Sequence, residues 1–135
     1  MTDFPVTIFH NPACGTSRNT LGIITAAGYA PKVVEYVQVG WTKPQLLELL
    51  AAMKATPRDI LREKGSPPGE LGLLEPGVTD DQILDAMVAH PLLVNRPIVV
   101  TPNGTVLARP SEKVAEVLER TPASYVKEDG ETLAF

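Results

Sequence analysis

The spacing of hydrophobic positions changes along the chain, and each change marks an element. Val6-Thr7-Ile8-Phe9-His10 alternates among β-favouring residues and predicts a first strand. From Ser17 to Ala27, the apolar positions Leu21, Ile24 and Ala27 recur at helical spacing, with Gly28 as the stop. Val33-Val34-Glu35-Tyr36-Val37 returns to the strand pattern. Asn11-Pro12-Ala13-Cys14-Gly15-Thr16 is a turn between the first strand and the helix. The first quarter therefore predicts a βαβ unit with parallel strands.

The middle of the chain reads as helical. Thr42 caps a helix carrying Leu46, Leu47, Leu49, Leu50 and Met53. Thr56-Pro57 opens another, with Ile60 and Leu61 inward and proline at the favoured first position. A turn-rich stretch follows, Gly65-Ser66-Pro67-Pro68-Gly69. Thr79-Asp80-Asp81-Gln82 is a capping-box pattern that opens a helix to about Ala89. His90, at its end before Pro91, is expected as a cap or dipole partner. Ile98-Val99-Val100-Thr101 and Thr105-Val106-Leu107-Ala108 flank Pro102-Asn103-Gly104, a strong hairpin signal. Ser111 is expected to cap a last helix through Val114, Val117 and Leu118, and the polar tail after Thr121 to be irregular. The order is βαβ, a helical insertion at about residues 42–90, then ββα. It predicts an α/β fold: a small mixed sheet flanked by helices, in one domain over residues 1–135.

Composition narrows the function. The 135 residues are 44% hydrophobic, enough for a single core and too apolar for a disordered chain. No 18-residue apolar run exists, so no membrane span is expected, and the N-terminus lacks the basic segment of a secretion signal. Twelve Lys and Arg against sixteen Asp and Glu give a net charge of −4, the wrong sign for a nucleic-acid binder. The thirteen prolines are scattered, so they punctuate short elements and do not build a linker. A single cysteine cannot form an internal disulfide, which fits a reducing, cytoplasmic home. No Cys/His spacing resembles a metal site.

That cysteine is the chemical centre. Cys14 lies between a strand end and a helix start, where backbone amides lack intrahelical partners and the helix end is partly positive. A thiol with an ordinary pKa of ~8.5 is only a few per cent ionised at neutral pH; at a helix N-terminus the thiolate becomes the resting form. The amides of Gly15, Thr16 and Ser17 are placed to hold an oxyanion. Arg18 either adds to this field or points to solvent. Two familiar arrangements are excluded. A phosphatase loop requires arginine at the sixth position after the cysteine, where Thr20 stands, and a dithiol redox site requires a second cysteine where Ser17 stands. A lone thiol can attack but cannot resolve its own adduct, so redox chemistry here needs an external thiol.

His10-Asn11-Pro12-Ala13-Cys14-Gly15-Thr16-Ser17-Arg18-Asn19-Thr20 resembles the active-site segment of the glutaredoxin-coupled arsenate reductases of thioredoxin-like fold. Leu61-Arg62-Glu63-Lys64, His90 to Val100, Leu107-Ala108-Arg109-Pro110-Ser111-Glu112 and Lys127-Glu128-Asp129-Gly130-Glu131 agree with the family in the same order. Pro68 departs from it, standing where the family often has an aromatic. The resemblance implies that Cys14 attacks arsenate, that glutathione joins as co-substrate with no bound cofactor, and that glutaredoxin completes the reduction to arsenite. It implies that Arg62, Arg96 and Arg109 hold the oxyanion, that His10 favours the thiolate, and that Ser17 is its hydroxyl neighbour. It also implies a structural cis bond at Pro97.

Elementary electrostatics makes three arginines sensible. Thiolate and arsenate are both anions, and their approach in a partly dry site costs several kcal/mol unless cations offset it. The arginine fork matches a tetrahedral oxyanion two oxygens at a time. Two other readings stay open from the sequence. One is a glutathione-linked thiol oxidoreductase acting on another substrate. The other is a redox regulator of the same fold that binds RNA polymerase, a class that normally carries the second cysteine replaced here by Ser17.

Overall fold

The computed structural model describes residues 4–62 and 77–135. The turn-rich stretch Gly65–Gly69, Pro68 within it, and Glu63 and Lys64 of the Leu61–Lys64 motif lie outside the described residues. The chain forms two compact units, Met1–Glu35 with Arg96–Phe135, and Tyr36–Asn95.

In the first unit, strand β1 (Thr7–Phe9) leads through helix α1 (Gly15–Ala26) to β2 (Lys32–Val34). After the second unit come the hairpin strands β3 (Ile98–Thr101) and β4 (Gly104–Leu107). The sheet order is β2-β1-β3-β4, with β1 and β2 parallel and the other pairs antiparallel. The small mixed sheet read from the sequence is the one observed. Ile8, Val99 and Val106 are paired neighbours that point to one face. There they pack with Ile23 and Ile24 of α1 and with Val114 and Val117, forming the unit's core.

Several details differ from the sequence reading. Helix α1 begins at Gly15, two residues before Ser17, which puts Cys14 at the N-cap itself. The expected strand Val33–Val37 stops at Val34, and Tyr36–Val39 forms a short helix, α2. Tyr36 is wholly buried, stacks on Trp41 at 5.1 Å and donates its hydroxyl to the Val94 carbonyl; these contacts override the β-favouring composition. Gly40, at φ +77, ends the turn where a side chain would be strained.

Ser111–Val117 is a 3-10 helix, and Pro110, not Ser111, is its N-cap. Its buried positions explain the form. Ser111, Val114 and Val117 repeat every three residues, so they eclipse along a three-residue turn and would fan out around an α-helix. The hairpin turn is also of another type than Asn-Gly suggests. Thr101 pairs with Gly104, so Pro102 and Asn103 form the corner, and Asn103 keeps a negative φ while Gly104 takes +148.

The tail is ordered, against expectation. Strands β5 (Ser124–Val126) and β6 (Thr132–Ala134) pair through a turn with Gly130 at φ +94. Their register sets Tyr125 opposite Leu133, and both pack against the core. One apolar residue per strand is enough to dock this hairpin, but too few to show as alternation in a polar segment.

The second unit holds α2, α3 (Lys43–Met53), a 3-10 turn at Pro57–Ile60, α4 (Asp80–Ala89) and a 3-10 turn at Pro91–Leu93. The capping boxes at Thr42 with Gln45 and at Thr79 with Gln82 are both formed. The helix expected from Thr56 is confined to that single turn, and Leu61 beyond it is extended, bridging Val94. His90 occupies the C-cap of α4. Lys43 lies within 3.4 Å of Asp81 and 3.3 Å of Asp85, tying α3 to α4. Among the described residues no helix is long and apolar enough to cross a membrane.

Candidate active site

The turn after β1 is shaped by Asn11. Its carbonyl accepts from the Cys14 amide at 3.0 Å, and its side-chain oxygen accepts from the Ala13 amide at 2.9 Å. The chain is thus folded back so that Cys14 becomes the N-cap of α1, with its own carbonyl accepting from the Arg18 amide at 3.0 Å. The first-turn amides of Gly15, Thr16 and Ser17 precede the first intrahelical acceptor, and the Ser17 amide interacts with the Cys14 sulfur.

The sheet register brings two arginines to the same end. Continued two residues past Ile98 and Leu107, the β3–β4 pairing sets Arg96 opposite Arg109, just after the mouth of the hairpin. The β1–β3 pairing, continued past Phe9 and Ile98, runs the start of the cysteine turn alongside Arg96 and Pro97. Arg109 Nη1 lies 3.7 Å from Cys14 Sγ and donates to the Arg96 carbonyl at 2.9 Å. The Arg96–Pro97 peptide is cis, as is Arg109–Pro110.

Cys14 is buried, 7% exposed. Burial raises its pKa and is the largest single influence. The Ser17 amide, the Arg96 charge, and hydrogen bonds from Arg109 and Arg96 all lower it, and together they prevail: the thiol lies below its ordinary value. The Ser17 amide favours the thiolate without the cysteine side chain closing a full capping hydrogen bond.

His10 and Ser17 form a buried pair, with Nδ1 2.6 Å from Oγ, and the same oxygen accepts from the Asn11 amide at 3.0 Å. Burial is the main cause that holds the His10 pKa below its ordinary value; the Arg18 charge acts in the same direction and Glu35 opposes. His10 is therefore neutral at neutral pH, and its bond goes to Ser17, whose amide faces the sulfur. The pH dependence follows. Between the lowered native pKa and the unfolded value of about 6.5, the unfolded chain binds more protons, so stability is full above about 6.5 and falls as the pH drops. Urea unfolding of wild type and His10→Gln at two pH values on either side of that window checks this; the variant's stability changes less with pH.

Arg18 does not point freely to solvent, and its charge interacts with that of the Cys14 thiolate. Its Nε and Nη2 donate to the two carboxylate oxygens of Glu128 at 2.7 and 2.9 Å, and Nη1 donates to the Pro12 carbonyl at 2.7 Å. Of the three arginines expected at the site, Arg96 and Arg109 meet at Cys14 in the first unit. Arg62 belongs to the second, where its amide donates to the Leu93 carbonyl at 2.7 Å. Sequence reasoning passed over Asn11 as an organiser of the turn and Glu128 as the partner of Arg18. Asn11-Pro12 signalled a turn without revealing its internal bonds, and Glu128 stood unremarked within the tail motif.

The ArsC family model matches residues 9–117, a span that holds Cys14, Arg62, Arg96 and Arg109. The chain belongs to the ArsC family. It is 60% identical to arsenate reductase ArsI1 of Synechocystis over 134 residues, covering 98% of this chain and 93% of that protein. It is 50% identical to an arsenate reductase of Escherichia coli K12 over 127 residues, covering 93% and 90%. Among solved structures it resembles an arsenate reductase from Vibrio cholerae with a TM-score of 0.82 at 35% identity, covering 87% of this chain and all of that one. The ArsC fold is thus the thioredoxin-like α/β fold expected from the motifs. In this member it places the Cys–Gly–Thr–Ser turn against the mouth of an arginine-bearing hairpin.

Proposed function

We propose that the protein reduces arsenate to arsenite, with Cys14 as nucleophile and with glutathione and glutaredoxin as the source of electrons. The observation that carries this reading is a thiol held below its ordinary pKa at a helix N-terminus, 3.7 Å from an arginine and beside a second. The relatives named above, at 50% and 60% identity, support arsenate as the oxyanion.

In the proposed reaction the Cys14 thiolate forms a sulfur–arsenic bond, and one arsenate oxygen leaves after protonation as water. Arg96, Arg109 and the amides of Gly15 and Thr16 hold the remaining oxygens and offset the charge that builds on them. Reduction of As(V) to As(III) takes two electrons, and the chain has one cysteine, which is regenerated. Two external thiols must therefore supply the electrons and leave as a disulfide. Glutathione enters at arsenic with loss of a second water, and a glutaredoxin thiol attacks the glutathione sulfur and leaves As(III) on Cys14. Water then cleaves the sulfur–arsenic bond to release arsenite and the thiol. A reducing, cytoplasmic compartment maintains such thiols. The role of Arg62 as a third oxyanion ligand rests on its sequence motif, and Arg62→Ala in the same assay tests it.

The test is arsenate-dependent NADPH oxidation with glutathione, glutaredoxin and glutathione reductase, leaving out one component at a time. The reading requires loss of turnover when glutathione, glutaredoxin or the protein is absent. Equal turnover without arsenate, on a glutathione mixed disulfide, would favour a general thiol oxidoreductase.

A further inference from the structure

The geometry points to Glu128, on the C-terminal hairpin, as a positioning residue for the cysteine turn that acts through Arg18. The Arg18 guanidinium has two faces of donors, and both are committed. The Nε and Nη2 face is gripped by both carboxylate oxygens of Glu128, and Nη1 is thereby aimed at the Pro12 carbonyl. Pro12 lies inside the turn that Asn11 folds from within, so the turn is tied from both sides: by Asn11 to the Ala13 and Cys14 amides, and by Arg18 to Pro12.

Glu128 is itself seated on α1, its amide donating to Asn19 Oδ1 at 3.1 Å. A β-carbon placed on Gly15 would lie 3.7 Å from Arg18 Nη2 and 3.7 Å from Glu128 Oε1, so the pair covers the first residue of the helix beside Cys14. The tail is held in place separately. Lys127 bridges Glu112 at 2.9 Å and Glu131 at 3.4 Å, and Tyr125 packs on the core. The ion pair of Arg18 and Glu128 is half exposed, and such pairs contribute little to stability as a rule. Its consequence is therefore geometric: it fixes the shape of residues 12–14 and with it the seat of the sulfur at the helix end. The inference rests on Cys14 being the reacting thiol.

The experiment measures the rate of Cys14 alkylation by iodoacetamide against pH, on the full chain, in about 1 M salt, where charges are screened beyond about 3 Å. It compares wild type with Arg18→Ala, Glu128→Ala, Glu128→Gln, Lys127→Ala and the Arg18→Ala/Glu128→Ala double variant. If the pair acted by charge, removing the cation and removing the anion would move the titration midpoint in opposite directions. Acting by position, both alanine variants move it upward and slow alkylation below the midpoint by about threefold or more. The double variant is then no worse than either single one, because both residues act through one linkage. Glu128→Gln, which keeps an acceptor for the fork, falls nearer to wild type, and Lys127→Ala leaves the midpoint in place. Midpoints moving in opposite directions, variants that overlay wild type, or Lys127→Ala reproducing the effect would each overturn the inference. A wild-type midpoint at the ordinary thiol value would instead defeat the reading of Cys14 on which it rests.

Discussion

Cys14→Ser abolishes arsenite formation without lowering the thermal unfolding midpoint. In the proposed reaction the thiolate is the nucleophile, and a hydroxyl in its place stays protonated at any pH the protein tolerates, so no bond to arsenic forms. Stability is expected to hold because serine is among the favoured N-cap residues, and the Cys14 side chain closes no full capping bond that would be lost. Loss of activity with an unchanged unfolding midpoint separates chemistry from folding. The measurement is arsenite release in the coupled assay together with a thermal melt of the same preparation. Retained turnover would mean that the sulfur is not the attacking atom.

Arg96→Ala and Arg109→Ala each lower kcat/KM for arsenate at least about tenfold, equivalent to ~1.4 kcal/mol of transition-state stabilisation. Two effects combine. Each loss removes a cation from beside the thiolate, raising the thiol pKa, and each removes donors from the oxyanion. Arg109 also bonds the Arg96 carbonyl, so its removal disturbs the backbone that carries its neighbour. The double variant should accordingly fall short of the product of the two single effects. Arg109→Lys recovers only part of the activity, because a single ammonium point cannot match two oxygens of a tetrahedral oxyanion as the planar guanidinium fork does. Steady-state kinetics on the four variants decide this, and full recovery with lysine would show that charge alone suffices.

What the sequence disclosed about this site depended on how local each signal was. The helix cap at Thr42 and the capping box at Thr79 announce themselves within four residues, and both form. The strand–turn–helix around Cys14 is similarly local, and the structure only moves the helix start to Gly15. Tyr36–Val39 misled because its composition favours strands, while its conformation is decided by where Tyr36 is buried. The meeting of Arg96 with Arg109 is a matter of hairpin register: once the strands at residues 98–101 and 104–107 are paired, their positions follow. The contact between Arg18 and Glu128 joins residues 110 positions apart through a tail hairpin whose two inward residues, Tyr125 and Leu133, are too sparse to read as a pattern. Family resemblance pointed at both ends of that contact without joining them.

The whole account turns on one sulfur being ionised and accessible to an oxyanion at rest. Its most direct test is the pH profile of Cys14 alkylation in the wild-type chain, measured with and without arsenate or sulfate. The expected result is a midpoint well below the ordinary thiol value of ~8.5, with alkylation slowed by either anion as it occupies the arginine-lined site. A midpoint at or above that value, with no protection by either anion, would contradict it.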